Sequence, residues 1–387
     1  MQIVAIVAGV VVIATWLTIV FGRGGFWRVG SAVLRNGAEH RPVQVAAVVP
    51  ARNEADVIAR SVVTLLTQEL NGLLHVFLVD DHSEDRTTEV ARRAAEEIGR
   101  GNALTILRGA ALPAGWTGKL WAVAQGVEAA KALAPNYLLL TDADVVHDAD
   151  TVARLVAKSE CEQLALTSLM VRLHCVSVAE RMLIPAFVYF FFLLYPPKWI
   201  ADRGARTAGA AGGCMLVRPE ALERAGGIAA IRDEIIDDCA LAKTIKRSGG
   251  NVWLGLAQSS ASVRPYTNFR HIGRMIERTA FNQLRHSTLL LGGTVVGLLI
   301  TYILPIALLF SNSALVVALG ATAVTLMVGS FLPMVRYYGL SSLWALTLPG
   351  SACFYLWSTL RSAWSYWLGR GGQWKGRAQD RKSAAAK

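Results

Sequence analysis

The stretch that decides the fold is residues 137–144, which read Tyr-Leu-Leu-Leu-Thr-Asp-Ala-Asp. Its apolar run is typical of a strand buried on both faces, as in a parallel sheet. Asp142 would then lie at the carboxyl end of the strand, where open α/β sheets bind ligands. Two carboxylates spaced one residue apart, Asp142 and Asp144, suit a divalent cation that could clamp a diphosphate. The same residues could instead form a polar loop that caps a helix starting near Ala149, so the motif alone does not establish a metal site.

The composition indicates that part of the chain lies in lipid. Of the 387 residues, 53% are hydrophobic and 17% are charged, and the mean hydropathy is +0.39, which is rare for a wholly soluble enzyme. The formal net charge of +11 suits either a nucleic acid or an anionic membrane surface. The hydrophobic segments favour the membrane, and we expect no nucleic-acid partner. The 5 cysteines form no C-x-x-C pair, which argues against a disulfide framework and a zinc site.

The uncharged segment at residues 3–21 is long enough to cross a bilayer. It could be a signal peptide, but no positive residue precedes it and no small-residue cleavage pattern follows it. We therefore interpret it as a retained anchor. By the positive-inside rule, the arginines that follow place the next domain in the cytoplasm. These residues are Arg23, Arg28, Arg35 and Arg41.

Strand and helix patterns alternate from residue 42 onward. Strands are predicted at residues 45–49, 75–79, 103–107 and 137–140. Asn53-Glu54 is predicted to lead into a helix through Leu70, residues 83–99 to form a turn and helix, and residues 119–133 to form a helix. This alternation predicts parallel β-α-β units and a sheet of the nucleotide-binding type. No G-x-G-x-x-G follows the first strand and no G-x-x-x-x-G-K-[ST] occurs, which argues against a dinucleotide-binding Rossmann enzyme and a P-loop ATPase.

An apolar, aromatic run at residues 182–195 is too short to span a bilayer comfortably. We predict an interfacial helix at residues 182–197, with a buried core helix as the alternative. A glycine-rich strand at 209–217 and a charged helix at 232–250 follow. The basic segment at 264–285 suits a juxtamembrane helix better than a nucleic-acid-binding one.

Three apolar runs near the C-terminus, at residues 289–310, 314–334 and 343–360, have the length and composition of membrane helices. A basic tail at residues 361–387 follows them. One N-terminal span and three later spans would put this tail outside, against the positive-inside rule. Either one run does not cross or the tail is an exception. The run that contains Pro349 and Gly350 is our candidate for a re-entrant or interfacial segment.

Charged residues recur at the ends of the predicted strands. Asp80 and Asp81 end the second strand, where an Asp can accept a hydrogen bond from the N3–H of uracil. Lys119 opens a helix whose amino end suits a phosphate. A carboxylate at Asp237 or Asp238 could act as a general base near an acceptor hydroxyl. Each residue taken singly could be an ordinary turn, capping or solvated residue, but their order along the chain favours one shared site.

Five motifs together carry a resemblance to a known family. They are V-V-P-A-R-N-E (48–54), V-D-D-H-S-E-D (79–85), T-G-K-L-W-A (117–122), T-D-A-D-V (141–145) and I-D-D-C-A-L (236–241). The series resembles the inverting family 2 glycosyltransferases over residues 45–285. Within that family, the membrane segments and W-K-G-R at 374–377 are similar to the hopene-associated glycosyltransferases, which accompany hopanoid synthesis in bacteria. The resemblance implies an α/β fold of the GT-A type, a Rossmann-like nucleotide-binding sheet with flanking helices, plus transmembrane helices at both ends.

The resemblance also implies roles for individual residues. The implied substrate-binding residues are Pro50, Arg52, Glu54, Asp81, Lys119, Asp142 and Arg278. The first four would line the nucleoside pocket, and Lys119 and Asp142 would lie near the nucleoside and diphosphate. Asp144 would coordinate Mg²⁺ or Mn²⁺, and Asp238 would be the catalytic base. Asp237 stands where Glu is usual, which leaves its role open.

Processive synthases of this family carry Q-x-x-R-W after the base. The nearest stretch here is M-I-E-R-T at 275–279, where Met275 and Thr279 depart from the pattern and Arg278 remains. This departure argues against a polysaccharide synthase. Arg278 would face the diphosphate, alone or with Arg274.

The expected protein is a multi-pass enzyme of the bacterial plasma membrane with a cytoplasmic catalytic domain. It would move a sugar from a nucleotide-sugar, expected to be a UDP-sugar, to a hopanoid or another polyprenoid lipid. The alternatives are a transferase that loads a polyprenyl phosphate, a processive polysaccharide synthase and a nucleotide-sensing membrane protein. The expected organisation is an anchor and linker (1–41), a catalytic domain (42–287), membrane helices (288–360) and the basic tail (361–387).

Overall fold

The computed structural model describes residues 2–32, 41–369, 373–374 and 377–378. The chain divides into two compact units. We call the first the helical unit, which comprises Met1–Ser31, Cys175–Lys198 and Pro265–Gly372. The second is the sheet unit, which comprises Ala32–His174, Trp199–Arg264 and Gln373–Lys387.

The sheet unit is built on a mixed sheet of 8 strands. In chain order these are β1 (Val43–Ala51), β2 (Gly72–Asp80), β3 (Leu104–Arg108), β4 (Tyr137–Thr141), β5 (Val145–His147), β6 (Leu166–Arg172), β7 (Cys214–Val217) and β8 (Val252–Ser262). Their spatial order is β3-β2-β1-β4-β7-β6-β8-β5. A short antiparallel pair, β9 (Gln373–Trp374) and β10 (Arg377–Ala378), lies later in the chain.

Helices precede, alternate with and follow these strands along the chain. In chain order they are α1 (Gln2–Gly22), α2 (Ile58–Leu66), α3 (Thr87–Glu97), α4 (Gly118–Ala130), α5 (Thr151–Cys161), α6 (Val178–Leu194), α7 (Pro197–Ala201), α8 (Pro219–Arg224), α9 (Asp237–Arg247), α10 (Phe269–Gln283), α11 (Thr288–Leu298), α12 (Leu304–Leu308), α13 (Ala314–Tyr337) and α14 (Leu348–Trp367). A π-helical turn, Leu299–Ile303, joins α11 to α12. Short 3₁₀ turns are Val29–Ala32, Gly101–Ala103, Lys131–Leu133, Ile228–Ile231 and Ser342–Thr347.

The predicted parallel units are confirmed for the first four strands. β1 pairs in parallel with both β2 and β4, and β2 pairs in parallel with β3. The later half departs from this pattern, because β7 runs antiparallel to both β4 and β6. β5 is also antiparallel to its neighbour β8. The apolar runs of β1 and β4 are buried, as expected for central strands covered on both faces.

Close packing between α4 and β1 fixes the position of the helix that begins at Gly118. A Cβ atom added to Gly126 of α4 would lie 2.4 Å from Val48 Cγ1, so only glycine allows this approach. The opposite face of the sheet is covered by a hydrophobic core that includes Ile58 and Leu65 of α2 and Leu155 of α5. The carboxyl ends of β1, β2 and β4 are therefore held by helices of the surrounding core.

Several helices are shorter than their sequence patterns predict. The helix predicted to follow Asn53-Glu54 and run through Leu70 extends from Ile58 to Leu66, after Asn53 with a left-handed φ of 53° and a turn. The turn and helix predicted at 83–99 are confirmed as a loop at residues 81–86 and a helix, Thr87–Glu97. The first part of the predicted basic tail continues α14 to Trp367. Residues 33–40 of the linker and most of the tail, including Lys375 and Gly376 of W-K-G-R, lie outside the described residues.

The helical unit contains three of the four apolar helices that the sequence predicts. Within the described ranges, three helices are long and apolar enough to cross a membrane: Gln2–Gly22, Thr288–Leu308 and Ala314–Tyr337. The run predicted at 343–360 is divided between a 3₁₀ turn and α14, and α14 does not belong to this set. Pro349 lies in the first turn of α14, where a missing N–H costs no hydrogen bond.

The aromatic run predicted as an interfacial helix forms α6 in the helical unit. Its buried side chains include Leu183, Val188 and Phe192, and the Tyr189 hydroxyl lies 2.8 Å from Ser330 Oγ of α13. Ser177 and Glu180 form a capping box at its start, which explains why the helix begins before the apolar run. An interfacial position for α6 stays a prediction.

Candidate functional site

The loops after β1 and β2 are joined to each other by hydrogen bonds. Asn53 Oδ1 accepts from the Glu84 N–H at 2.8 Å, and Ser83 Oγ accepts from the Asn53 N–H at 3.0 Å. The Glu54 N–H donates to Thr87 Oγ1 at 2.8 Å. These short polar side chains bond to backbone groups that no strand or helix satisfies. The two strand ends therefore form one continuous rim of the sheet.

Arg52 and Asp81 lie together on this rim. Arg52 Nη1 donates to the Asp81 carbonyl oxygen at 2.6 Å and lies 3.9 Å from Asp81 Oδ2. Both side chains are mostly buried. Pro50, two residues before Arg52, is buried in β1 opposite Val79 of β2. The structure thus brings together three of the residues predicted to line a nucleoside pocket.

Arg264 bridges Glu54 and Asp144. Arg264 Nε donates to Asp144 Oδ2 at 2.9 Å, and Arg264 Nη2 pairs with Glu54 Oε2. Ser262 Oγ donates to the same Asp144 oxygen at 3.2 Å. Burial alone would lower the pKa of Arg264, but Glu54 and Asp144 outweigh it and raise the pKa. Glu54 on the rim and Asp144 of the D-x-D motif are therefore linked through one guanidinium.

Lys119 joins two carboxylates that are distant in the sequence. Its Nζ lies 3.0 Å from Asp142 Oδ1 and 3.0 Å from Asp237 Oδ2. It projects from the first turn of α4, whose N-cap Thr117 accepts from the Leu120 N–H at 3.4 Å. Burial works against the charged ammonium, but Asp142 and Asp237 raise the pKa of Lys119 above its usual value. The lysine is therefore a cation held between the carboxyl end of β4 and the start of α9.

Asp238 is held by two backbone N–H groups. Gly212 donates to Oδ2 at 2.9 Å, and Cys239 donates to Oδ1 at 2.7 Å. Asp238 lies in the first turn of α9, where the helix dipole favours a negative charge. Burial, and then the neighbouring charge of Asp237, nevertheless raise the pKa of Asp238 to about 6. A carboxylate with this pKa is ionised at neutral pH and can still take up a proton, as a general base must.

The charged pairs described above are connected to one another through shared residues and neighbouring charges, and so form one site. Burial raises the pKa of Asp142, and the charge of Asp144 adds to this rise, so the two carboxylates of the D-x-D motif influence each other directly. Arg264 links Asp144 to Glu54, and Glu54 shares its loop with Arg52. Seven predicted residues with charged side chains thus form one series at the strand ends: Asp81, Arg52, Glu54, Asp144, Asp142, Lys119 and Asp238.

One predicted substrate-binding residue lies in the other unit. Arg278 is exposed on α10 of the helical unit, as is Arg274 one turn earlier. On the buried side of the same helix are Ile272 and Ile276. A role for Arg278 at the diphosphate stays a prediction.

Three residues that were not predicted from the sequence contact the predicted site. Arg264 and Ser262 bond to Asp144, and Gly212 bonds to Asp238. Arg264 is separated from Asp144 by 120 residues, and no local motif marks it. The glycine-rich pattern around Gly212 was the only available signal, since glycines let backbone approach other groups closely.

The carboxylate oxygens of the site suit a divalent cation that is bound partly by protein and partly by substrate and water. Among the described residues, no three His, Cys, Asp or Glu side chains converge as a metal cluster. Both side-chain bonds to Asp144 use Oδ2, so Oδ1 is the oxygen that could ligate a cation. Mg²⁺ is commonly bound by one or two carboxylates together with water and substrate phosphates. The residues present fit that mode and do not fit a cage made only of protein ligands.

A separate cavity of about 240 Å³ lies elsewhere in the sheet unit. Its lining is largely apolar and includes Trp116, Val127, Leu222 and Ile228. None of the predicted site residues lines it. The cavity is therefore distinct from the series of charged residues at the strand ends.

Comparison with protein families identifies the domain that carries this site. Residues 46–226 match the model of the family described as Glycosyl transferase family 2. These residues, just under half of the chain, are similar to a family 2 glycosyltransferase domain. The match includes β1 to β7 and most of the site, and it ends before Asp238 and Arg264. No curated protein gives a significant match.

Solved structures show the fold of this glycosyltransferase domain. The mannosyltransferase PcManGT from Pyrobaculum calidifontis, in complex with GDP-Man and Mn²⁺, is similar with a TM-score of 0.52 at 18% identity, over 93% of this chain and 99% of that one. TarS 1-349 from S. aureus, in complex with UDP-GlcNAc, gives a TM-score of 0.38 at 11% identity, over 86% of this chain and 95% of that one. The first likeness shows that the mixed sheet and its flanking helices are GT-A-like.

Proposed function

We propose that the protein is a membrane-bound, inverting glycosyltransferase that moves a sugar from a nucleotide-sugar to a lipid. The observation that carries this proposal is the arrangement around Lys119, which contacts Asp142 and Asp237 while Asp238 is fixed beside them. Within a family 2 glycosyltransferase domain, this arrangement supplies both a site for a charged donor and a carboxylate that can accept a proton.

The nucleoside of the donor would bind at the joined ends of β1 and β2. Pro50, Arg52, Glu54 and Asp81 lie there, and Asp81 could accept a hydrogen bond from a base N–H. Lys119 and the amino end of α4 would face the diphosphate, because a cation and a helix N-terminus both favour phosphate. The similar solved structures contain GDP-Man and UDP-GlcNAc, and a UDP-sugar remains our proposal for this chain.

Asp144 would hold a divalent cation, Mg²⁺ or Mn²⁺, through its carboxylate. When bound, such a cation supplies positive charge to the diphosphate leaving group. PcManGT was solved with Mn²⁺. Asp142 stays paired with Lys119 in this arrangement, so its role is to position the lysine and to hold its charge beside the diphosphate.

Asp238 would act as the general base. It takes the proton of an acceptor hydroxyl while that oxygen bonds to the anomeric carbon and the bond to the diphosphate oxygen breaks. A single displacement of this kind inverts the configuration, and no covalent sugar intermediate is needed. The Gly212 and Cys239 N–H groups fix the direction of the carboxylate. General-base catalysis of this kind contributes about 10² to 10⁴ in rate.

A lipid acceptor is proposed because the same chain carries three helices that could cross a bilayer. If each crosses once, residues after α1 and the basic tail lie on the same side. That arrangement would satisfy the positive-inside rule and would place the sheet unit on the cytoplasmic side of the bacterial plasma membrane. α14 would then be the segment that does not cross. A hopanoid is the proposed acceptor class, from the resemblance to the hopene-associated glycosyltransferases.

The test is donor consumption by the purified full-length protein in lipid nanodiscs with Mn²⁺. A panel of UDP-, GDP- and dTDP-sugars is supplied with or without hopanoid-containing lipid extract, and nucleoside diphosphate release is measured. We expect release from one donor only when the extract is present, with a glycosylated lipid detected by mass spectrometry. Nucleotide binding without turnover under any condition would contradict the proposal and indicate a nucleotide sensor. If the sugar were transferred only to polyprenyl phosphate, or if a polymer formed, the acceptor would not be the proposed hopanoid.

A further inference from the structure

Backbone pairing in the sheet places Arg264 and Asp144 side by side. β5 and β8 are antiparallel, with Val145 opposite Ser262. The Val263 N–H donates to the Asp144 carbonyl oxygen at 2.9 Å, directly beside the two side chains. The backbone therefore holds these residues as neighbours, whatever the conformation of the arginine side chain.

The exposure of the three charged side chains is unequal. Arg264 is 35% exposed, whereas Asp144 is 18% exposed and Glu54 is 9% exposed. The guanidinium can therefore turn into solvent, while the two carboxylates stay in place. Without Arg264, Asp144 and Glu54, both mostly buried, would lose the cation that contacts both of them, which is unfavourable. A departing arginine must be replaced by another positive charge.

A divalent cation bound to Asp144 would lie next to the guanidinium of Arg264. Both would contact the same carboxylate, and like charges at such a distance repel strongly at a partly buried site. The cation and the guanidinium therefore compete for Asp144. An anionic diphosphate at this site would offer the displaced guanidinium a new partner, because arginine binds phosphate oxygens through two N–H groups.

We propose that Arg264 serves as an internal counter-ion of Asp144 that a divalent cation displaces when the donor diphosphate binds. The inference rests on the proposed function, because it assumes a cation and a diphosphate at this site. Arg264 is thus a donor-binding and positioning residue that makes cation and nucleotide binding cooperative. The free enzyme binds the cation weakly, and the nucleotide-bound enzyme binds it more tightly.

The experiment measures Mn²⁺ affinity by electron paramagnetic resonance and calorimetry, with and without UDP or GDP. The full-length wild-type protein is compared with Arg264→Gln, which removes the positive charge. Ser262→Ala is the matched control, because it removes the other bond to Asp144 Oδ2 and changes no charge. Asp144→Asn tests whether the ion binds at this carboxylate. Melting curves establish that each variant is folded.

We expect Arg264→Gln to bind Mn²⁺ without nucleotide at least about fivefold more tightly than wild type, in the usual range of coupling between sites. We also expect UDP or GDP to increase Mn²⁺ affinity less in this variant than in wild type. Ser262→Ala should resemble wild type. Should Arg264→Gln fail to fold, Arg264→Lys replaces it, because a lysine keeps the charge but cannot contact both carboxylates at once. That variant should bind nucleotide-free Mn²⁺ at least about twofold more tightly.

Equal or weaker nucleotide-free Mn²⁺ binding by the tested Arg264 variant would overturn the inference. Undiminished Mn²⁺ binding by Asp144→Asn would also overturn it, since the cation would then lie elsewhere. Neither result decides whether the protein transfers a sugar, which the donor-consumption assay measures separately. Conversely, the expected Mn²⁺ behaviour without any sugar transfer would support the exchange at Asp144 and contradict the proposed function.

Discussion

Gly212 fixes Asp238 from the backbone: its N–H donates to Asp238 Oδ2 at 2.9 Å. The Cys239 N–H holds the other carboxylate oxygen at 2.7 Å. Hydrogen bonds of this kind lower the pKa of a carboxyl group, whereas burial and the charge of Asp237 raise it. The carboxylate of Asp238 is therefore fixed in position, and its pKa is raised to about 6.

The first prediction concerns the pH dependence of turnover. Because the base must be ionised, kcat at saturating donor should rise with pH and level off above about 6, the pKa of Asp238. In Asp237→Asn the neighbouring negative charge is absent, so this rise should move to lower pH. Asp148→Asn, at an exposed position, should keep the wild-type profile. A kcat that is flat or falls between about pH 5 and about pH 7 would count against Asp238 as the base.

The second prediction concerns Lys119. Lys119→Met leaves Asp142 and Asp237 without their shared cation. We expect a loss of about 1–3 kcal/mol in stability, the usual cost of an uncompensated, partly buried group, and weaker binding of nucleoside diphosphate. Adding Asp237→Asn to Lys119→Met should restore part of the melting temperature, because it removes one of the two unpaired charges. A double variant less stable than the single one would show that Lys119 does not act through these carboxylates.

The third prediction concerns His147, which is buried between Thr141 and Ser260. Its Nε2 lies 3.2 Å from Thr141 Oγ1 and its Nδ1 lies 2.8 Å from Ser260 Oγ. Burial lowers the pKa of His147 to about 4. As the pH falls from about 6.5 to about 4, the unfolded chain takes up a proton that the folded chain does not. Stability should therefore fall across this window, by up to about 3 kcal/mol.

The measurement is the melting temperature between about pH 4 and about pH 7 for wild type and His147→Gln. The variant should lose most of the pH-dependent change. His271→Gln, a substitution of a less buried histidine on α10, should retain it. A wild-type melting temperature that rises on acidification through this window would contradict a neutral, buried His147.

The fourth prediction concerns Lys246 on α9. Its ammonium lies within hydrogen-bond distance of four carbonyl oxygens, those of Trp199 (3.1 Å), Ile200, Asp202 and Thr207 (2.8 Å each). It thereby ties the segment that leads to Gly212 to the helix that carries Asp238. Lys246→Met should reduce kcat by about tenfold or more, because small misplacements of catalytic groups cost large factors in rate.

Trypsin gives an independent readout of this segment, since Arg203 and Arg206 are exposed within it. Lys246→Met should speed cleavage at these two arginines. Lys243→Met is the matched control, with the same substitution at an exposed position of the same helix. Equal cleavage rates and equal kcat in the two variants would show that Lys246 does not organise the segment.

Much of the site could be predicted because its residues directly follow apolar strands. The buried run of β4 marked Asp142 and Asp144, and the run of β2 marked Asp81. Parallel β-α-β connections bring the carboxyl ends of successive strands to one edge of a sheet. Local sequence therefore sufficed to place these carboxylates at the same edge.

The antiparallel half of the sheet could not be predicted in this way. Arg264 reaches Asp144 only because β8 pairs with β5, and that pairing joins segments more than 110 residues apart, as the 118-residue separation of Ser262 and Asp144 shows. The exact start of α2 at Ile58, after the turn that follows Asn53, was also not marked by the sequence. Long-range pairing and side-chain bonds within loops decide these features, and hydrophobic periodicity reports neither.

The most direct test of the central claim is the turnover of Asp238→Asn under saturating donor and lipid acceptor, together with its affinity for nucleoside diphosphate. We expect a loss of about 10² to 10⁴ in kcat, with nucleotide affinity within about twofold of wild type, because Asp238 is proposed to face the acceptor and not the nucleoside. Asp148→Asn should match wild type in both measurements. Sugar transfer by Asp238→Asn at the wild-type rate would contradict the account.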